Sequence, residues 1–143
     1  VEAVSVRSRI TGYIQEVHFA QGEEVRKGDL LVTIDPRPIQ ARVVRAEADI
    51  AALVSRLDLA RLELARTQKL IASQATSQRE LDEKEAAVKD LEASIKAARA
   101  ALDATRLDLA FTRITAPISG RVGKAEITAG NFVQTEGPES PLL

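Results

Sequence analysis

Residues 39–116 read IQARVVRAEADIAALVSRLDLARLELARTQKLIASQATSQRELDEKEAAVKDLEASIKAARAALDATRLDLAFTRITA, 78 residues without a glycine or a proline. Ala, Leu, Glu, Arg and Lys, all strong helix formers, fill the stretch. A loop would not avoid both backbone breakers for so long. The apolar period is seven. Val43, Ile50, Leu57, Leu64 and Ile71 make one series, and Leu81, Val88, Ile95, Leu102 and Leu109 make a second. Three residues after most of these comes a companion position: Ala46, Leu53, Ala60 and Thr67 in the first series, Lys84, Leu91, Ala98, Thr105 and Thr112 in the second. Such spacing is a coiled-coil seam, used twice.

Ile71 and Leu81 are ten residues apart rather than seven, so the two series cannot share one helix in phase. The break falls at Ala72-Ser73-Gln74-Ala75-Thr76. Ser77, with Glu80 three residues on, opens a second helix as a capping box. Folding back there pairs Val43 with Leu109, Ile50 with Leu102, Leu57 with Ile95, Leu64 with Val88 and Ile71 with Leu81. In every pair the two numbers add to 152, as a fold-back centred on residue 76 requires. Each arm would be about 50 Å long at the α-helical rise. Ala46, Ala60, Ala98 and Thr105 let the helices approach closely but bury little apolar area. A hairpin of this kind is expected to pack against further copies or a partner, whereas a mere spacer would need neither.

The two ends of the chain repeat one another. ITGYI at 10–14 matches ISGRV at 118–122, and the same offset of 108 relates Phe19 to Ile127, Gly22 to Gly130 and Val25 to Val133. Alternating apolar residues between the glycines predict short strands joined by turns. Gly12, Gly22, Gly28, Gly120 and Gly130 are expected to hold tight turns. Neither half can bury its apolar face alone, so the two should close on each other as a small β-sandwich. The fold expected is therefore α+β: a split β-sandwich, residues 1–37 and 113–143, with an antiparallel two-helix hairpin inserted at 38–112 and its tip near 72–77.

Composition narrows the function. Twenty basic and 21 acidic residues leave a net charge of -1, which excludes a chain held to nucleic acid by bulk electrostatics. Tyr13, Phe19, Phe111 and Phe132 are the only aromatics, too few for a base-stacking platform. Without cysteine there is no disulfide framework and no thiolate chemistry, and His18 alone makes no histidine metal site. Methionine is absent, so the chain is expected to be a processed or excised piece of a longer one. No apolar run approaches the roughly 18 residues of a membrane span.

The stretches RSRITGYIQEVHFAQGEEVRKGDLLVTIDPRPIQA (7–41) and LAFTRITAPISGRVGKAEITAGNFV (109–133) resemble the split lipoyl, or biotinyl-like, barrel-sandwich hybrid domain of periplasmic adaptor proteins, also called membrane fusion proteins. The DPRP run at 35–38 resembles the branch that serves RND-type multidrug efflux pumps. The resemblance implies an adaptor bridging an inner-membrane RND-type transporter to a TolC-type outer-membrane channel, with copies arranged in a ring. It implies the periplasm of a Gram-negative bacterium, with inner-membrane association through regions outside 1–143. It also implies a channel-docking tip pattern of Arg, then Leu four residues on, then Ser seven further. Arg66, Leu70 and Ser77 stand at those spacings. Arg66 offers a planar donor fork, Leu70 follows one turn later, and Ser77 can hydrogen-bond at the apex. Each also has a plainer role open to it: Arg66 pairing with Glu63, Leu70 packing beside Ile71, Ser77 capping a helix.

Three other readings compete. A lipoyl or biotinyl carrier needs a modifiable lysine on the turn between its halves, but no lysine occurs between Lys27 and Lys69. Asp35 and Pro36 instead suit a helix start. An enzyme needs a nucleophile elbow, phosphate loop or ligand cluster, and none is legible. The acids are expected to serve helix-surface pairs such as Glu80 with Lys84 and Glu92 with Lys96, and His18 to face solvent. An adaptor for an ABC-type or other exporter would share the tip pattern and stays open. No catalytic residue, cofactor or metal is expected.

Overall fold

The computed structural model describes residues 3–124 and 128–133. The chain is α+β, with two long helices and short strands from both ends. In order these are β1 (Gly12–Val17), β2 (Glu24–Val25), β3 (Leu30–Ile34), α1 (Arg37–Ala72), α2 (Gln78–Ala110), β4 (Arg113–Thr115), β5 (Gly120–Arg121) and β6 (Phe132–Val133). Two compact units result, one drawn from the chain up to Ala41 and from Thr105 onward, the other spanning Arg42–Ala104.

In the first unit the strands order as β4-β3-β1-β6, beside a separate β2-β5 pair. The 108-residue repeat explains the cross-pairing. β1 pairs antiparallel with β6, placing Gly12 opposite Val133 and Tyr13 opposite Phe132. Shifted by the repeat, those become Gly120 opposite Val25 and Arg121 opposite Glu24, the register of β5 with β2. The flanking bonds repeat as well. Ile14 N–H donates to Asn131 carbonyl at 2.8 Å, and Val122 N–H to Glu23 carbonyl at 2.9 Å; Gly130 N–H donates to Ile14 carbonyl at 2.8 Å, and Gly22 N–H to Val122 carbonyl at 2.9 Å. Each half supplies the other's partner strand. Of the repeated pairs, Phe19 with Ile127 cannot be followed, since Ile127 lies outside the described residues.

Three turns share one chemistry. Glu23 N–H donates to Ala20 carbonyl, Asp29 N–H to Arg26 carbonyl and Asn131 N–H to Thr128 carbonyl. Gly22, Gly28 and Gly130 take the third place in these turns, with φ of 80°, 93° and 93°. A type II turn needs that positive φ, which only glycine reaches without strain. Gly12 and Gly120 correct the expectation, because each opens a strand instead of a turn. At Gly12 close packing is the reason: a Cβ there would sit 2.7 Å from Ile34 Cγ2. At Gly120 a Cβ meets open space.

The core of this unit gathers Ile14, Leu31, Val32, Ile34, Ile39 and Ile114, with Leu109 and Phe111 packed on it. β3 lies between β1 and β4, and its run Leu30–Val32 is sheltered throughout, with a register shift against β4 between Leu30 and Val32. Helix α1 begins at Arg37, with Pro38 in its first turn where Pro36 was expected. Asp35 precedes it and accepts Arg37 N–H at 3.1 Å, while the Arg37 guanidinium closes on the same carboxylate at 2.7 Å. Those hydrogen bonds hold the Asp35 carboxyl below its ordinary range. The support they lend the helix start is thus present at neutral pH and is lost as pH falls through that lowered pKa.

In the second unit the helices run antiparallel. Leu57, Val88 and Ile95 form a buried cluster, with Leu53, Leu64 and Leu91 packed against it. The outer ion pairs cross between helices. Arg61 meets Glu92 and Lys84 meets Glu63, each at 3.2 Å. These replace the expected Glu80–Lys84 and Glu92–Lys96 pairs, because a half-buried seam lysine reaches the facing helix more readily than its own. Buried Thr67 satisfies its hydroxyl on Glu63 carbonyl at 2.9 Å.

The contrast between the two strand-opening glycines is testable. Gly12→Ala should cost about 1–3 kcal/mol through the clash with a stiff β-branched side chain, whereas Gly120→Ala should stay within about 0.5 kcal/mol. Urea melts followed by circular dichroism would read the difference.

Candidate functional site

The end of α1 is built by its own backbone. Ala75 N–H donates to Leu70 carbonyl at 2.8 Å and Gln74 N–H to Ile71 carbonyl at 3.0 Å. That bond pair is a Schellman motif, in which the residue after the cap adopts a left-handed conformation. Here Gln74 does so, with φ of 60°, where glycine is the usual occupant. Ser73 hydroxyl adds a bond to Leu70 carbonyl at 3.0 Å. The end of α1 is therefore capped by these bonds without a glycine.

The start of α2 departs from the expected capping box in one respect. Ser77 Oγ accepts Glu80 N–H at 3.2 Å, as an N-cap should. The Glu80 carboxylate, however, accepts a hydrogen bond from the Thr76 hydroxyl rather than turning to Ser77 N–H. Thr76, one residue nearer the apex, is the better-placed donor. Gln78 with Asp82 and Arg79 with Glu83 then tie the first turns of α2 on its outer face.

Arg66 and Leu70 lie one turn apart on the last turns of α1, and Ser77 lies across the fold-back, all three exposed. Leu70 keeps 46% of its surface open. Glu63, the acid that could have neutralised Arg66, is engaged by Lys84. The Ser77 hydroxyl accepts one bond and retains its proton for another. Between Arg66 and Leu70, Thr67 is buried, and Ile71 beyond them is half-buried. The other seam positions read likewise: Leu57, Val88, Ile95 and Leu102 are buried, while Val43, Ile50, Leu64, Leu81 and Leu109 are half-buried.

Two exposed residues escaped the sequence reading. Leu59 and Leu62 are 56% and 57% open, and with Arg66 and Leu70 they form a stripe at spacings of three, four and four. That is one face of a helix. Their signal was a second leucine series out of phase with the seam, which the stronger seven-residue period masked.

Among the described residues no group of three His, Cys, Asp or Glu is placed to hold a metal ion. His18 Nε2 shares a 2.7 Å hydrogen bond with Thr33 hydroxyl, and Glu16 lies 3.8 Å from Nδ1. No helix among the described residues is long and apolar enough to cross a membrane.

Residues 2–143 match the family described as RND MFP, barrel-sandwich hybrid domain. The multidrug resistance protein MdtA of Proteus mirabilis is 43% identical over 143 residues, covering all of this chain and 34% of that protein. The chain thus spans about a third of the length of such relatives. Among solved structures, a MacA–MexA chimera containing the Pseudomonas aeruginosa MexA α-hairpin domain is similar at a TM-score of 0.59 and 29% identity, over 95% of this chain and 44% of that one. The periplasmic adaptor EmrA shares the fold at a TM-score of 0.69 and 15% identity, over 96% of this chain and 70% of that one.

Replacing Gln74 by Gly relieves a left-handed residue that carries a Cβ. The hairpin should gain about 1 kcal/mol, read as a higher melting temperature by circular dichroism at 222 nm.

Proposed function

Because the chain belongs to the barrel-sandwich hybrid domain family of RND membrane fusion proteins, we propose that it is the hairpin-bearing part of a periplasmic adaptor in an RND-type multidrug efflux pump. On this reading 1–37 and 113–143 are the halves of one lipoyl-like sandwich, and 38–112 is the hairpin inserted between them. The protein is a coupling element without catalysis. It works in the periplasm between an inner-membrane transporter and a TolC-type outer-membrane channel, with copies set side by side in a ring.

The observation that carries the docking role is the state of the hairpin tip. Arg66 is exposed while Glu63, the acid three residues before it, is taken by Lys84, and Leu70 stands open one turn further on. Ser77 keeps a hydroxyl proton beside them. A planar donor fork, an apolar knob and a hydroxyl together suit a partner surface that offers carbonyls or carboxylates around a shallow apolar recess. The leucine stripe down α1 gives the same face an apolar continuation. Cross-pairing of the two chain ends supports the sandwich assignment, since β1 with β6 and β2 with β5 join residues on either side of the helices.

A cysteine-free chain makes cross-linking clean. Ser77→Cys, in a full-length adaptor carrying this chain, should give an adduct to the outer-membrane channel in cells, and Val43→Cys should not. Adding Arg66→Glu or Leu70→Asp should lower the adduct by about tenfold or more. A functioning pump with no tip adduct would overturn the docking role.

A further inference from the structure

On the first unit, the stretch before β1 and strand β4 line a groove of about 530 Å³. Its walls carry three arginines, Arg7, Arg9 and Arg113, and among the described residues no acidic one lines it. Burial alternates along the N-terminal stretch, with Val6 and Ser8 sheltered, Ile10 buried, and Arg7 and Arg9 exposed between them. Two residues along an extended chain place Arg7 and Arg9 about 7 Å apart on one face. Arg113 is exposed in the same way beside buried Ile114 on β4.

The floor is apolar. Val6 and Phe111 both pack on the core of the unit, and Ile114 belongs to it. Arg9 lies over the Phe111 ring, its Cζ 5.2 Å from the centroid. A guanidinium stacked on an aromatic face is held in place while its N–H edge stays free to donate. Arg37, Arg61, Arg79 and Arg121 each have a carboxylate within 3.2 Å. Arg7, Arg9 and Arg113 form no ion pair among the described residues. Three cations without an ion-pair partner among the described residues, above an apolar floor, favour an anion, and one with an apolar body.

We propose that this groove binds an organic anion with an apolar body, its anionic head between the Arg7, Arg9 and Arg113 guanidiniums and its body against Val6, Phe111 and Ile114. The volume falls in the range of pockets that enclose small molecules. An acidic protein surface would use the arginines alone and leave the apolar floor empty. The inference stands on the groove and is independent of the adaptor role.

The test uses purified protein and the fluorescent anion 1-anilinonaphthalene-8-sulfonate, with neutral N-phenyl-1-naphthylamine as its uncharged counterpart. The sulfonate should bind saturably at one site, at least about tenfold tighter than the amine. Arg9→Gln/Arg113→Gln should weaken the sulfonate by at least about tenfold. Arg113→Gln alone gives a smaller loss and guards against a double variant that fails to fold. Arg121→Gln, outside the groove, should leave binding unchanged. Octyl sulfate and phosphatidylglycerol vesicles then compete with the sulfonate. Displacement by the first points to free organic anions, and displacement by the second to a membrane lipid headgroup as the source. Equal binding of sulfonate and amine, no loss in either groove variant, displacement by neither competitor, or stronger displacement by polyglutamate than by octyl sulfate would each overturn the proposal.

Discussion

The two ends of the chain can satisfy their strand edges only on each other. β1 finds one of its neighbours in β6 and β5 finds its own in β2, in registers that repeat with the sequence. A strand left with unpaired amides in a small apolar core costs the free energy of each lost hydrogen bond, so neither half is a stable object alone. Pairing Gly12 with Val133 closes a very long loop, which is entropically costly when that loop is flexible. Here most of the intervening chain is two helices joined by a five-residue turn, and helices return the chain with few free torsions. The first turn of α1 brings Ile39, and the end of α2 brings Leu109, to the same core.

Over that repeated frame the side chains diverge. Where one cross-pairing sets Tyr13 against Phe132, ring centroids 5.0 Å apart, the other sets Arg121 against Glu24 at 3.2 Å. Gly12 is enforced by Ile34, whereas Gly120 has room for a side chain. β1 carries on to pair with β3, and β5 stops after two residues. Backbone pairing thus tolerates large differences in surface chemistry. The arginine groove lies beside β4 at one edge of the four-stranded sheet, and the exposed aromatic pair spans β1 and β6 at the other.

Helices and strands were legible in the sequence because both obey local rules. Burial on a helix follows a period that seven-residue spacing reveals, and a type II turn demands glycine at one place. What could not be read depends on distances set only after folding. Lys84 was assigned to its own helix because i,i+4 spacing is visible in a sequence, while the nearer Glu63 is visible only once the helices align. The left-handed Gln74 carries no compositional mark, since glycine is favoured there but not required. Arg113 is more than a hundred residues from Arg7 and Arg9 and meets them because β4 returns beside the N-terminal stretch. At the tip, the Arg66, Leu70 and Ser77 spacing was visible, whereas the engagement of Glu63 by Lys84 was not.

Interlocking of the two ends is the claim on which the account rests, and amide hydrogen exchange by NMR tests it most directly. Ile14, Gly22, Val122 and Gly130 donate the four equivalent bonds that cross between halves. If the halves form one cooperative body, these amides should exchange with opening free energies equal to within about 0.5 kcal/mol, and all should lose protection together as denaturant rises. Protection retained by Gly22 and Val122 after Ile14 and Gly130 have lost theirs would contradict the account, because it would show one cross-pairing surviving without the other and hence no single cooperative body.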